Sequence, residues 1–189
     1  THKGGYSAFA CEIGTVLQFG TENEIVVKAD NKARPDVIPV NQNLFGVYGG
    51  IYRPVWLIVT EQNNITVTDC ASPGVYITQK NVSKKSADIT VKVKLDNAGL
   101  QPAALTLENA IYTQDGRKVS VHSQSLDLTP QGTQTYTSTF KMKDPHLWHG
   151  RKDPYLYKVV CKLMADGKVI DEVVQPLGVR KYEIVAGKG

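Results

Sequence analysis

The chain has 189 residues, 41% of them hydrophobic and 21% charged, and 22 Lys and Arg against 18 Asp and Glu leave a net charge of +4. That is ordinary globular composition, which excludes a wholly disordered chain or a coiled coil, and the length suits two small domains. The basic residues lie scattered among acidic ones in short pairs such as Lys84 and Lys85, the mark of a solvated surface, so no nucleic-acid partner is predicted.

In chain order, the first block reads as strands over 5–13, 24–30 and 47–59, the last continuing through "ITVTD" at 65–69. Between them "DNKARPDVIPVNQN" is an irregular connection with two prolines. In "FGVYGGIYRPVWL", at 45–57, Gly49 and Gly50 interrupt a β-rich run where the backbone must bend or be approached closely. Pro54 suits an edge or a bulge, because it lacks an N–H. Four strands in so short a block leave a sheet without a covering layer. Residues 1–71 are therefore expected to be one incomplete domain, with self-association through residues 1–68 as its physical corollary.

From Ser72 onward the period is two almost everywhere. In "ADITVKVKLDN" Ile89, Val91, Val93 and Leu95 alternate with polar neighbours, as a half-buried strand does. "TYTSTFKMK" sets Tyr136, Phe140 and Met142 on one face, and "YLYKVVCKL" does the same with Tyr155, Tyr157, Val159, Cys161 and Leu163. The turns "DNAGL", "QDGR", "TPQG" and "ADGK" separate seven predicted strands at 74–79, 88–96, 103–113, 118–128, 133–143, 155–164 and 168–176. Seven short antiparallel strands predict an immunoglobulin-like sandwich over 72–189.

Cys11, Cys70 and Cys161 are an odd number without close spacing, so neither a disulfide framework nor a zinc cluster is written here. No run approaches the ~20 apolar residues of a membrane helix. Asn64 and Asn81 match the glycosylation triplet, a pattern short enough to arise by chance. "DPHLWHGRKDP" places His146 and His149 near Asp144 and Asp153, but a metal site would need further ligands and supporting groups, and no metal or other cofactor is predicted. Trp148 is expected to pack at the end of the sandwich with Leu147, Leu156 and Tyr157. Arg53 and Arg180 are expected to be hydrogen-bonded structural arginines. No P-loop, Rossmann fingerprint or Ser/His/Asp grouping occurs.

Five stretches taken in order, "HKGGYSAF", "NEIVVKADN", "YGGIYRPVWL", "PHLWHGRKDPYLYKV" and "LGVRKYEI", resemble the front part of glycoside hydrolase family 2. The resemblance covers essentially the whole chain. It implies an all-β fold, with part of a galactose-binding-like jelly roll at 1–71 followed by the seven-stranded immunoglobulin-like sandwich at 72–189. It further implies that the chain is a fragment whose catalytic TIM barrel, the expected partner, lies elsewhere, so that no catalytic residue is assigned and carbohydrate is met only through the parent's site. Many members carry an aspartate six residues before the second glycine; here that position is Leu44, which cannot accept a hydrogen bond. Asn43 and Phe45 flank it and are the candidate substrate-binding residues, offering an amide and a stacking face, with loop packing as the other reading. The family's acid/base glutamate follows an asparagine, but the pair Asn23 and Glu24 follows "FGTE" at the start of a short strand and is read as structural. The style of the motifs leans toward periplasmic enzymes of polysaccharide-degrading bacteria; localisation itself is unknown. The alternative is a stand-alone carbohydrate-binding or adhesion protein of two sandwiches.

Overall fold

The computed structural model describes residues 1–32, 34–37 and 49–187. They fall into two compact units, Thr1–Val59 and Thr60–Gly189. Eight strands, all paired antiparallel, lie in the second unit: β1 (Asn63–Ile65), β2 (Val75–Lys80), β3 (Ser86–Asn97), β4 (Ala103–Tyr112), β5 (Lys118–Leu128), β6 (Gly132–Lys143), β7 (Tyr157–Ala165) and β8 (Lys168–Leu177). The seven strands expected after Ser72 are β2 to β8.

Two sheets make the sandwich. β3 is the spine of the first: β6 runs along one edge for its full length, while β2 and then β1 share the other. The second sheet has the order β5-β4-β7-β8. Alternation along each strand sends one set of side chains inward. Ile89, Val91, Val93 and Leu95 of β3 are fully buried, as are Leu107 and Ile111 of β4 and Val159, Cys161 and Leu163 of β7. Phe140 and Met142 of β6 and Leu126 and Leu128 of β5 complete the layer. With no disulfide across the sheets, this contiguous apolar layer holds them together.

Turn chemistry fixes the hairpin registers. Between β7 and β8, Asp166 and Gly167 both take positive φ, 50° and 75°, which is the two-residue turn that an Asp-Gly pair specifies. Between β4 and β5, the Thr113 amide donates to the Arg117 carbonyl at 2.9 Å, and the Arg117 amide returns a bond to Thr113 Oγ1 at 2.9 Å.

β1 is the strand that the sequence does not announce. Sequence pattern alone puts its residues with the first block, yet Asn63, Asn64 and Ile65 pair with Asn97, Asp96 and Leu95 of β3. Ile65 is buried, and its amide donates to Asp171 Oδ2 on β8 at 2.7 Å, tying the edge of one sheet to the other. Near that point the β7–β8 register slips, Leu163 facing Asp171 while Met164 faces Val169. An extra residue of this kind re-aims the side chains beside it.

The core carries a polar bridge between the sheets. Asn109 of β4 and Ser138 of β6 are both buried, and Asn109 Nδ2 donates to Ser138 Oγ at 2.8 Å. His122 Nδ1 on β5 lies 3.2 Å from the same hydroxyl. The other amide atom, Asn109 Oδ1, is buried without a hydrogen-bond partner in the described structure.

The first unit differs from expectation. Its described residues contain no strand, so the extended segments predicted at 5–13, 24–30 and the described part of 47–59 do not form a ladder there. A β-prone run becomes a strand only when another backbone edge takes its N–H and C=O groups. Local ties order the unit instead. Arg34 grips Asp36 with two bonds of 2.9 Å, and Lys3 adds a third at 3.3 Å. The guanidinium holds the Asp36 carboxyl well below the usual carboxylate range. Tyr52 donates its hydroxyl proton to the Gly5 carbonyl at 2.9 Å. Apolar side chains of this unit stay exposed, among them Phe19, Val26 and Val59, each more than four-fifths accessible.

Candidate functional site

The chemistry-bearing residues of the second unit gather at one end, where the segment between β6 and β7 meets the chain leaving β8. β6 stops at Lys143, and Asp144, at φ 42°, turns the chain while its amide donates to the Lys85 carbonyl at 2.9 Å. The His146 amide donates to the Tyr157 hydroxyl at 2.8 Å, and the His146 ring stacks on Tyr155 at 4.1 Å, nearly parallel. Tyr155 meets Tyr157 edge-on at 5.0 Å, a favoured aromatic arrangement. Burial raises the pKa of the Tyr157 phenol, so it serves here as a neutral hydroxyl.

His146 Nε2 lies 2.7 Å from Asp153 Oδ2, and the His149 amide donates to the Asp153 carbonyl at 2.8 Å. These contacts close the loop on itself. Asp144 and the His149 ring do not join the pair, and among the described residues no group of three or more potential metal ligands converges.

Trp148 sits half-buried on the far side of this loop, and its amide donates to the Val179 carbonyl at 2.8 Å. Trp148 and Leu156 close over Gly178. The expectation that Trp148 packs at the end of the sandwich thus holds for Leu156. Arg180 departs from its expected role: its guanidinium lies over the Trp148 ring at 5.0 Å, a cation–π contact, and no carboxylate of the described residues is within ion-pair distance. Arg53 likewise lies over a ring, that of Tyr52, at 5.6 Å.

Sequence reasoning missed Gln79. From β2 its side chain spans the segment leaving β8, Nε2 donating to the Gly178 carbonyl at 3.1 Å and Oε1 accepting from the Arg180 amide at 3.0 Å. One side-chain amide here replaces a neighbouring strand. Nothing in "YITQK" marks it, since it looks like any polar residue on a half-exposed strand. Ile77, Gln79, Trp148, Leu156, Pro176, Leu177, Gly178 and Arg180 line a groove of about 350 Å³.

A second open groove, of about 270 Å³, lies between β4, β5 and the β7–β8 turn, with Asp127 and Asp166 on its lining. Both are exposed, and no aromatic side chain lines it to receive a sugar ring. Of the other sequence candidates, Asn23 is tied into its own loop. Its Oδ1 accepts from the Gln18 amide at 2.9 Å and its Nδ2 donates to the Gln18 and Thr21 carbonyls, while Glu24 is exposed. Asn43 and Phe45 lie outside the described residues.

Comparison with known proteins places this arrangement in context. The family model "Glycosyl hydrolases family 2" matches residues 73–180. A β-glucuronidase of Bacteroides fragilis is 39% identical over 189 residues, which are all of this chain and 27% of that protein. A β-glucuronidase of Formosa agariphila is 33% identical, the alignment taking in 98% of this chain and 20% of the relative. The crystal structure of a "putative beta-galactosidase" from Bacteroides fragilis superposes with a TM-score of 0.96 at 89% identity, covering all of this chain and 28% of that one. The chain therefore spans between a fifth and just over a quarter of the length of these relatives.

Proposed function

The chain belongs to glycosyl hydrolase family 2, and from that premise we propose that it is a non-catalytic accessory portion of a β-glycosidase, bracing a catalytic barrel and shaping its sugar site. The observation that carries the reading is the match at 73–180, which falls on a sandwich whose interior is a packed apolar core. Retaining glycosidases need two carboxyl groups ~5 to 5.5 Å apart across the scissile bond. The relatives hydrolyse β-glucuronides or β-galactosides by name, and a β-glycosidic bond is the substrate class proposed for the longer polypeptide.

On this reading the sugar contacts of the chain come from Asn43 and Phe45, with Leu44 unable to accept a hydrogen bond. The first unit carries a further proposal. With Phe19 and Val59 more than four-fifths exposed, apolar surface within residues 1–68 drives self-association of the isolated chain; a clean monomer in sedimentation at high concentration would contradict that.

The test is direct. The purified 189-residue chain should release no chromophore from aryl β-glucuronides or β-galactosides above the uncatalysed rate, and calorimetry against mono- and oligosaccharides should give no saturable heat. Turnover that disappears in Asp127→Asn, Asp166→Asn or Glu24→Gln would overturn the non-catalytic reading. Saturable heat without turnover would favour a stand-alone binding module.

A further inference from the structure

We infer that the groove around Trp148 and Arg180 is the seat of the catalytic portion of the longer polypeptide, which presents a carboxylate to the Arg180 guanidinium and an apolar side chain to Trp148 and Leu156. The inference rests on the bracing role proposed above and assigns that role to a surface.

Four observations carry it. The lining is apolar where a partner would press: Leu156 is 40% exposed, Pro176 is exposed, Trp148 and Ile77 are half-buried, and Val174, next outward on β8, is 47% exposed. Its charge is of one sign. Arg180, exposed, is the charged residue on its lining; no acid lines the groove, and Asp153 nearby is taken by His146. An aromatic beside an arginine without a carboxylate partner is the usual make-up of an energetic centre in an interface, and a desolvated arginine asks for a planar anionic partner.

The floor is also stiff. Val179 is fully buried, its carbonyl is held by the Trp148 amide, and Gln79 fixes the peptides on either side, so a load on the groove passes into β2 and the core. Finally, there is chain to fill it. The relatives are about four to five times longer than the matched stretch, and Tyr182 and Ile184, just past the groove, are 78% and 89% exposed with no cover among the described residues.

Hydrogen exchange compares the 189-residue chain with the longer polypeptide. Amides of residues 148–156 and 178–182 should exchange at least tenfold more slowly in the longer protein, and equal rates would overturn the assignment. Arg180→Glu and Leu156→Glu in the longer protein should each cut aryl β-glycoside turnover about tenfold or bring thermal inactivation forward, while leaving the unfolding transition of the 189-residue chain in place. Should charge reversal disturb the sandwich itself, Arg180→Gln replaces it. Unchanged activity and inactivation in these variants would also overturn the assignment. Deleting residues 60–187 separates the two levels. If hydrolysis survives the deletion, the bracing role is wrong; if the deletion abolishes it while exchange and variants show nothing, only the groove is wrong.

Discussion

Replacing Gly74 with alanine puts a number on how tightly the turn between β1 and β2 is built. Gly74 takes φ 69°, and an added Cβ would lie 2.5 Å from the Thr66 carbonyl oxygen, 2.9 Å from Ile65 Cγ2 and 3.2 Å from the Thr66 nitrogen. The conformation alone costs an L-residue roughly 1 to 2 kcal/mol. The contact falls on backbone that cannot rotate away: the Thr66 amide donates to Lys94 O at 3.0 Å and the Lys94 amide to Gly74 O at 2.9 Å, so relief must stretch one of these. Overpacking of this kind adds roughly 1 to 3 kcal/mol, for a total of about 2 to 5 kcal/mol. Gly116→Ala is the control, because Gly116 has φ 89° but open space around the added Cβ; it should cost only the conformational part. With a urea slope of roughly 2 kcal/mol/M, the unfolding midpoint should fall by about 1 to 2.5 M for Gly74→Ala and by no more than about 1 M for Gly116→Ala. Equal midpoints in the two variants would show that the crowding around Gly74 relaxes freely and that the reasoning is wrong.

Burial pushes the Cys161 thiol up to about 12 while Cys11 and Cys70 are exposed, so a thiol reagent should titrate two groups in the native chain and a third only in denaturant. Ser138→Ala should cost about 1 to 3 kcal/mol by removing the partner of the buried Asn109 Nδ2, whereas Asn109→Leu with Ser138→Ala should recover most of that loss in urea unfolding. Hydrogen bonds from Lys94 and Tyr76 lower the Asp69 pKa, and the same ion pair raises that of Lys94. The Asp69 contribution is thus present above its unfolded value of about 3.9 and fades as pH falls through the lower folded one; that of Lys94 is present below about 10.4 and fades as pH rises through the higher folded one. Wild type and Asp69→Asn should therefore differ in urea midpoint between pH 5 and 9 and converge at both extremes; coincidence at neutral pH would refute the linkage.

Strands β2 to β8 were legible because apolar and polar residues alternate along most of their length. Ile89 to Leu95 alternate cleanly with threonine and lysine, and Asp166 with Gly167 writes its own turn. β1 was not, for "NNI" has one apolar residue and gains its place from the edge of β3 and from Asp171, more than a hundred residues later. The first block shows the converse: "EIVVK" has the propensity of a strand, and among the described residues nothing offers it an edge. At the candidate site the aromatic and histidine loop could be picked out, since Trp148, His146 and Tyr157 are chemically conspicuous. Arg180 could be singled out but not its ring partner, and the reach of Gln79 depends on two strands meeting at one end, which no local pattern encodes.

The position of β3 has a consequence for synthesis. Its twelve residues carry the whole first sheet, and the partner that covers its full length is β6, with Ile89 opposite Phe140 and Val93 opposite Tyr136. On a ribosome adding roughly 5 to 20 residues per second, some 3 to 10 seconds separate the two. For that interval a nascent ribbon bearing Ile89, Val91, Val93 and Leu95 has its long edge open to any passing polypeptide.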